Sequence, residues 1–366
     1  MHQAALELLS AESRLLGEDA VRPRWERPHM SPSVPPATAA ADDPVLGLLL
    51  ARAAAAQSRP RRRTDPHVVS LVVEGGGMRG AVCAGMCLVL EAAGLMAAVD
   101  RVYGCSSGAL SGCFAAAGQA SRWATSFEDS ACRAFIDPSR ALWGRPVIDL
   151  DYLFDEVIAR RMPLSQTGLA RGPEFRAVAV SASRAELRVL RDFASAADVL
   201  DAARASCSIP VLTGAPRTYR GEPTVDGGLL EPIPYRTALR EGATHVLVLR
   251  SRDAGFRAPR PGRVVERGLA RAHPELLPLL RGCSELYNRD AAALERGLPL
   301  VRQIAVRPGS RLVARFSIDR GRILDSVRLG ADTMACALYG VSATRFRRPF
   351  ADLLPGDAAL AHGVAA

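Results

Sequence analysis

An apolar, β-branched run that stops at a cluster of glycines is the strongest constraint on how this chain can fold. Residues 68–73 are Val-Val-Ser-Leu-Val-Val, Glu74 and three glycines follow directly, and residues 80–93 have a helical pattern. A short apolar run bounded by turn residues is typical of a buried strand. A buried strand that turns at once into a helix is the repeating unit of layered α/β proteins. The sequence therefore predicts an α/β fold with a largely parallel sheet.

Strand and helix patterns continue to alternate along the rest of the chain. Further strands are predicted at residues 99–103, 175–181, 187–193, 245–250 and 300–306. Further helices are predicted at residues 107–117, 196–206, 266–280, 284–296 and 323–337. The two strands that follow one another at 175–181 and 187–193 are expected to pair.

Residues 1–66 differ in composition from the rest of the chain. Residues 1–18 have the pattern of a short helix, residues 23–41 are rich in Pro, Ser and Ala, and residues 59–63 are Arg-Pro-Arg-Arg-Arg. Such a composition is typical of a flexible segment, and an arginine run is more often a solvated linker than a phosphate contact. We therefore expect a flexible N-terminal arm at 1–66, an organised domain at 67–345 and a C-terminal tail at 346–366.

The basic charge limits the choice of partners only in part. Lys+Arg number 47 and Asp+Glu 38, which gives a net charge of +9, and every one of these basic residues is arginine. This bias agrees either with a GC-rich genome or with a surface that attracts anionic groups. We expect transient contact with an anionic membrane surface and no nucleic-acid partner.

Cysteine usage and hydropathy indicate a cytoplasmic protein that visits membranes peripherally. None of the eight cysteines forms a Cys-x-x-Cys pair, so reduced thiols are expected and a structural zinc site is not. The N-terminus lacks the pattern of a secretory signal. The apolar stretch at residues 45–56 contains Arg52 and is too short to span a bilayer.

A Gly-x-Ser-x-Gly motif occurs once in the chain, at Gly104-Cys105-Ser106-Ser107-Gly108. In hydrolases this spacing places a serine in strained backbone on a sharp strand-to-helix turn, and the glycines let strand and helix approach. The context fits, because an apolar strand precedes the motif and a helical pattern follows it. Ser106 is therefore the candidate nucleophile, Gly104 and Gly108 form its elbow, and Cys105 is expected to point elsewhere.

The glycine cluster Gly75-Gly76-Gly77-Met78-Arg79-Gly80 has two interpretations. It matches the dinucleotide-binding pattern Gly-x-Gly-x-x-Gly, which also expects an acidic residue about 20 residues further on. Asp100 is near that position, but it precedes the end of the next strand. The cluster also fits an oxyanion hole, because successive glycine N–H groups can converge on one oxygen. Arg79 would either add positive charge there or hold the loop by pairing with a carboxylate.

An activated serine also needs a base. The histidines are at positions 2, 29, 67, 245, 273 and 362, and none is well placed for a triad. Asp226-Gly227-Gly228 is the better candidate, because an aspartate at a strand end before two glycines has an exposed carboxylate on a tight turn. The same residues also fit an ordinary Asp-Gly turn.

Taken in this order, the three motifs resemble those of the patatin-like phospholipase family, roughly over residues 67–345. Glu74–Gly80 is similar to that family's acidic-Gly-Gly-Gly-x-Arg-Gly loop, Gly104–Gly108 to its elbow, and Asp226–Gly228 to its Asp-Gly-Gly turn. Residues 205–210 and 228–234 look similar as well. The departures are Glu74, where many members have Asp, and residues 1–66, which match nothing.

The resemblance implies a three-layer α/β/α sandwich in which Ser106 is the nucleophile and Asp226 the proton acceptor, without a catalytic histidine. It implies an oxyanion loop formed by Gly75, Gly76, Gly77, Arg79 and Gly80. The implied activity is release of fatty acid from phospholipids or related lipid esters, with no metal and no organic cofactor. Two alternatives remain open: a catalytically silent relative that binds lipid or acyl groups, and a nucleotide-binding oxidoreductase.

Overall fold

One eight-stranded sheet forms the centre of the molecule. The structure is a computed structural model, and it describes residues 36–55, 58–130 and 132–341. The strands are β1 (Val69–Val73), β2 (Arg101–Cys105), β3 (Glu174–Ser181), β4 (Glu186–Leu190), β5 (Arg217–Tyr219), β6 (Glu222–Asp226), β7 (His245–Asp253) and β8 (Val301–Val306). Neighbours in the series β3-β2-β1-β7-β8 are parallel, whereas β4 and β6 pair antiparallel with β3 and β5 pairs antiparallel with β6. The sheet is therefore largely parallel, as predicted.

Helices cover both faces of the sheet. They are α1 (Thr38–Asp42), α2 (Pro44–Ala54), α3 (Gly80–Ala92), α4 (Ser107–Ala116), α5 (Ala120–Ser130), α6 (Gln166–Arg171), α7 (Ala196–Ser206), α8 (Tyr235–Arg240), α9 (Arg263–Ala272), α10 (Leu277–Arg296) and α11 (Arg320–Tyr339). Alternate residues of β1 face opposite sides, because successive side chains of a strand alternate. Leu71 and Val73 pack with α3, α4 and α11, while Val72 packs with Tyr235 of α8 and Tyr287 of α10. The chain thus has the predicted α/β/α layers.

The position of β6 decides where its last residue lies. β2 pairs with the first part of β3, up to Cys105 opposite Val178. β6 pairs with the following part, and Asp226 lies opposite Ala179. Because β4 occupies the other edge of β3 at these positions, β6 lies on the same edge as β2. The ends of β2 and β6 therefore meet end to end beside β3.

Residues 38–54 do not belong to a flexible arm, so the predicted arm is wrong for this part of the chain. The side chains of Leu46 and Leu49 in α2 are buried in the main core. Arg52 is only 3% exposed and forms ion pairs with Asp65 at 2.5 Å and with Asp100 at 2.8 Å. The apolar residues of this segment are thus spaced as in a helix that packs one face against the main core. The short helix predicted at 1–18 and the tail at 346–366 lie outside the described residues.

The break between two predicted C-terminal helices is also in a different place. The sequence pattern predicts it between residues 280 and 284, but α10 runs without interruption from Leu277 to Arg296. The chain instead changes direction after α9, where Pro274 begins a short 3-10 turn. Proline has no N–H to continue a helix, which explains the break. Within the described ranges, no helix is both long and apolar enough to cross a membrane.

Candidate active site

Ser106 occupies the turn between β2 and α4. Its φ is 56° and its ψ is −131°, a strained conformation for a residue with a side chain. A Cβ at Gly104 would lie 2.4 Å from the carbonyl oxygen of Gly108, and a Cβ at Gly108 would lie 2.3 Å from that of Val73. Both positions therefore require glycine. The backbone N–H of Ser106 donates to Ser206 Oγ at 2.9 Å and so helps to fix the turn.

The glycine loop passes directly beside the serine. A Cβ at Gly75 would lie 2.9 Å from Ser106 Cβ, so only glycine permits this approach. Gly77 has a φ of 61° and lines the same cavity as Ser106. Among the described residues, no backbone or side-chain acceptor binds the N–H group of Gly76 or Gly77. The loop therefore has two free N–H donors close to the serine.

Both ends of this loop are tightly packed. Glu74, which precedes it, is buried and accepts hydrogen bonds from Arg250 Nε at 3.0 Å and from the Ser251 N–H at 2.7 Å. The Ser251 hydroxyl donates to the carbonyl of the first loop glycine at 2.6 Å. At the other end, a Cβ at Gly80 would lie 2.7 Å from Ser107 Oγ. The loop is thus held by a buried ion pair on one side and by close packing on the other.

Asp226 ends β6 and lies beside the serine. It is only 6% exposed, and the Gly228 N–H donates to its Oδ1 at 2.7 Å. Burial raises the pKa of Asp226, while hydrogen bonds with Ser106 and Gly228 oppose that rise. A carboxylate with a raised pKa is a stronger base than an ordinary one. The structure therefore places the two predicted groups next to each other.

Cys105 lies next to both groups but is closed off from solvent. Its thiol is fully buried and lies 3.8 Å from Asp226 Oδ1. Burial, followed by the charge of Asp226, raises the pKa of this thiol well above its usual value. Since the thiolate is the reactive form of cysteine, Cys105 is poorly suited to act as a nucleophile.

Three arginines, Arg79, Arg252 and Arg315, lie close together near the glycine loop. In the part of the chain that the structure describes, none of them forms an ion pair with a carboxylate. The Nε of Arg79 is buried and has no hydrogen-bond partner. Burial lowers the pKa of Arg79, and the charges of Arg252 and Arg315 lower it further. Arg79 therefore does not hold the loop through a carboxylate, and its charge is available to an anion.

A cavity that opens to solvent lies against Ser106. Much of its wall is formed by large apolar side chains: Leu110, Trp123, Phe127, Ile136, Ile148 and Leu153. Gly77 and Arg315 also line it, so the glycine loop and one of the free arginines border the same space. Apolar walls with a few polar groups at one end fit a ligand that has an aliphatic part and a reactive polar part.

The other sequence candidates lie away from this cavity. His67 lies two residues before β1, His245 is the first residue of β7, and their ring centroids are 4.8 Å apart. His273 pairs with a neighbouring glutamate at 3.3 Å. Asp100 precedes β2 and is paired with two arginines. Of the histidines that the structure describes, none lines the Ser106 cavity, and Asp100 lies at the opposite end of the strand from the glycine loop.

Four residues that organise the site were not assigned a role from the sequence: Ser206, Arg250, Ser251 and Arg315. Ser206 accepts the serine N–H and donates to a β3 carbonyl at 2.6 Å. Arg315 accepts a hydrogen bond from the loop through its carbonyl oxygen at 3.0 Å. Only Ser206 had a sequence signal, because it lies in the family-like stretch 205–210. The others are far from any motif along the chain.

Comparison with known proteins gives one family and one curated relative. Residues 71–239 match the family model of patatin-like phospholipases. The uncharacterized protein YjjU of Escherichia coli (strain K12) is 31% identical over 196 residues, which are 52% of this chain and 54% of that protein. The chain thus spans about half the length of this relative.

Solved structures of low sequence identity are also similar. VipD from Legionella pneumophila has 13% identity and a TM-score of 0.38, with 75% of this chain and 67% of that chain covered. Human GIVD cytosolic phospholipase A2 in complex with methyl gamma-linolenyl fluorophosphonate has 12% identity and a TM-score of 0.42, with 78% and 60% covered.

Proposed function

Because the chain belongs, through residues 71–239, to the patatin-like phospholipases, we propose that it is a serine hydrolase that cleaves acyl esters of lipids. The main support is the arrangement at Ser106. This residue has a positive φ and lies against an apolar cavity, with the buried carboxylate of Asp226 beside it. Such strain in a folded protein is typical of functional sites.

In the proposed mechanism, Ser106 Oγ attacks the ester carbonyl carbon while Asp226 accepts the hydroxyl proton. Collapse of the tetrahedral intermediate breaks the bond to the alcohol, which leaves with the proton from Asp226. Water then attacks the acyl group on Ser106 and gives one proton to Asp226. The fatty acid departs, and that proton returns to the serine oxygen.

The negative charge that develops on the carbonyl oxygen is assigned to the glycine loop. The N–H groups of Gly76 and Gly77 have no competing acceptor among the described residues, which supports this role. Preformed donors of this kind stabilise the transition state, and loss of one typically reduces the rate by about 10²–10³. The Glu74–Arg250 pair holds the start of the loop and therefore positions these donors.

The free arginines favour an ester that also has an anionic group. Arg79, Arg252 and Arg315 repel one another and lack carboxylate partners within the described chain, so a phosphate near the reacting ester would relieve this repulsion. The apolar cavity would hold the acyl chain. We therefore propose a phosphate-bearing lipid as the preferred substrate class, ahead of neutral esters with the same acyl chains.

The proposal is tested first by labelling with a fluorophosphonate probe, with the Ser106→Ala variant as the control. An active serine reacts with the probe, and the variant does not. Hydrolysis of matched phospholipid and neutral diacyl lipid is then compared for Arg315→Gln and for Arg296→Gln, an exposed arginine at the end of α10, away from the cavity. We expect only Arg315→Gln to lower kcat/KM on the phospholipid, with little change on the neutral lipid.

The alternative is a catalytically silent relative that binds lipid. Absence of labelling, together with lipid binding that does not depend on Ser106, would support that alternative and exclude the hydrolase. Labelling with equal turnover of both lipid classes would retain the hydrolase and exclude only the phosphate preference.

A further inference from the structure

Large apolar side chains are exposed at six positions in the described part of the chain, and their distribution is uneven. The positions are Leu142, Trp143, Val211, Leu239, Leu300 and Phe316. Single exposed apolar residues are normal on a protein surface, whereas a group of them at one place marks an interaction site.

Four of these side chains belong to segments that border the Ser106 cavity. Phe316 lines the cavity itself, and Val211 lies between two residues that line it, Ile209 and Thr213. Leu142 and Trp143 lie on a protrusion between Ile136 and Ile148. These two isoleucines form a β-bridge with each other, and both line the cavity.

The two remaining side chains lie at the opposite edge of the sheet, where the parallel strands begin. Leu300 immediately precedes β8, and Leu239 is near the end of α8, shortly before β7 begins. The amino ends of these strands are there, whereas Ser106 follows the carboxyl end of β2. The exposed apolar groups are therefore concentrated on the side of the molecule where the cavity lies.

The protrusion at residues 137–147 has a defined conformation. Residues Pro138–Trp143 form a 3-10 helix, and the Asp137 carboxylate caps its start by accepting from the Ser139 N–H. Backbone hydrogen bonds of 2.9 Å and 2.8 Å, from Asp137 to Val147 and from Asp149 to Phe135, close its base. Leu142 is 84% exposed and Trp143 is 81% exposed at its tip. The fold thus presents two large apolar side chains to solvent on a closed support.

Charge around these side chains favours an anionic partner. Arg145 follows Trp143 by two positions and is exposed. Arg315 directly precedes Phe316, Arg311 precedes it by five positions, and both are exposed as well. None of the three has an ion-pair partner within the described ranges. A tryptophan with neighbouring arginines suits the lipid–water interface, where the indole ring inserts and the guanidinium groups bind phosphates.

We propose that the tip formed by Leu142 and Trp143, together with Val211 and Phe316, docks onto an anionic lipid bilayer and places the cavity opening against it. This inference rests on the proposed function, because it names the surface from which the lipid substrate enters. The bilayer contacts the apolar side chains, and its anionic headgroups contact Arg145 and Arg311.

The experiment measures binding to sonicated vesicles of phosphatidylcholine with and without phosphatidylglycerol. It uses the Ser106→Ala protein, so that hydrolysis does not change the lipid. Leu142→Ala/Trp143→Ala, made in this background, is compared with Leu239→Ala, which removes an exposed leucine from the opposite edge. We expect the double substitution to weaken binding to anionic vesicles by about tenfold or more, and the control to have no effect.

Two further measurements distinguish a misfolded variant, a failure of the proposed function and a failure of the docking proposal. In the active protein, the double variant should hydrolyse a short soluble ester at the wild-type rate, which shows that it is folded and that the cavity is intact. Trp143→Phe should remove the blue shift in tryptophan fluorescence that vesicles produce. If the wild-type protein neither hydrolyses lipid nor reacts with the probe, the proposed function is excluded. The docking surface is retained in that case if vesicle binding still depends on Trp143.

The docking proposal is overturned if the double variant binds vesicles as tightly as its parent. It is also overturned if the substitution changes the protein from dimer to monomer by light scattering while vesicle binding is unaffected. The second result would assign the surface to a second copy of the chain.

Discussion

The parallel strands begin at one edge of the sheet, the amino edge, and end at the other, the carboxyl edge. In the described part of the chain, buried charged side chains are paired at the amino edge but include unpaired ones at the carboxyl edge. At the amino edge, Arg52 is buried between Asp65 and Asp100. At the carboxyl edge, Asp226 is buried and Arg79 is largely withdrawn from solvent, yet neither has an ion-pair partner among the residues that the structure describes. Ser106, the proposed nucleophile, has a strained backbone and lies at this second edge.

The paired charges of the amino edge and the unpaired charges of the carboxyl edge have different consequences. Buried charges that are paired contribute to the fold, whereas a buried charge without a partner has a free-energy cost that persists only where it has a use. The amino edge therefore holds the N-terminal helix to the sheet. In the proposed function, the carboxyl edge keeps the base Asp226, the loop N–H donors and the arginines available to a ligand. Substitutions at the two edges should have opposite effects on activity and stability.

The largest effect is expected for Asp226→Asn. The substitution retains the shape but removes the base, so kcat on a soluble ester should fall by at least about 10³-fold. The free energy of unfolding at pH 7 should not fall. The pKa of Asp226 is raised in the folded state, so its ionisation disfavours the native state at neutral pH, and asparagine does not ionise. Kinetics and thermal melts of the same preparation test this, and a large loss of Tm at pH 7 would contradict it.

At the amino edge, Arg52→Ala should destabilise the protein by about 3 kcal/mol, because it leaves two partly buried carboxylates without their main partner. Urea unfolding measures the change. Turnover per folded molecule should stay close to that of the wild type. Arg188→Ala is the matched control: its ion pair with Glu222 is partly exposed, and its loss should cost below about 1 kcal/mol. Equal destabilisation by the two substitutions would show that the buried ion pairs of Arg52 contribute no more to stability than the partly exposed pair of Arg188.

The dependence of activity on pH should report the environment of Asp226. The unprotonated carboxylate is the active form, so kcat/KM on a soluble ester should fall as pH decreases through its pKa. Because burial raises that pKa, the acidic limb should lie above the ordinary aspartate value of 3.8. A limb at or below that value would mean that another group accepts the proton.

The smallest effect is expected at the histidines of the amino edge. His245 packs against His67 and shares a 3.0 Å hydrogen bond with the Thr244 hydroxyl, at the opposite end of the parallel strands from Ser106. His245→Gln should change kcat/KM by less than about twofold. A large loss of turnover without a loss of stability would favour a triad and contradict the dyad.

Features that depend on neighbouring residues were predictable. The helix predicted at 196–206 is α7, and its limits are the predicted ones. Ser195 caps its start, and the helical sequence pattern ends shortly before Pro210. The helical face of α2 was missed because Pro- and Ala-rich neighbours and the interrupting arginine resemble a linker. Arg52 is stable in the core only because Asp65 and Asp100, from other segments, neutralise it.

By itself, the sequence determined the strand–glycine–helix turns, the layered sheet and the candidate residues for the site, since periodicity and glycine requirements act over a few adjacent positions. Only the tertiary structure decided which groups meet. Cys105 and Asp226 are 121 positions apart and lie side by side because β6 continues along the β3 edge where β2 ends. The unpaired arginines and the exposed tip beside the cavity likewise depend on burial and strand pairing between distant segments, which local sequence patterns do not specify.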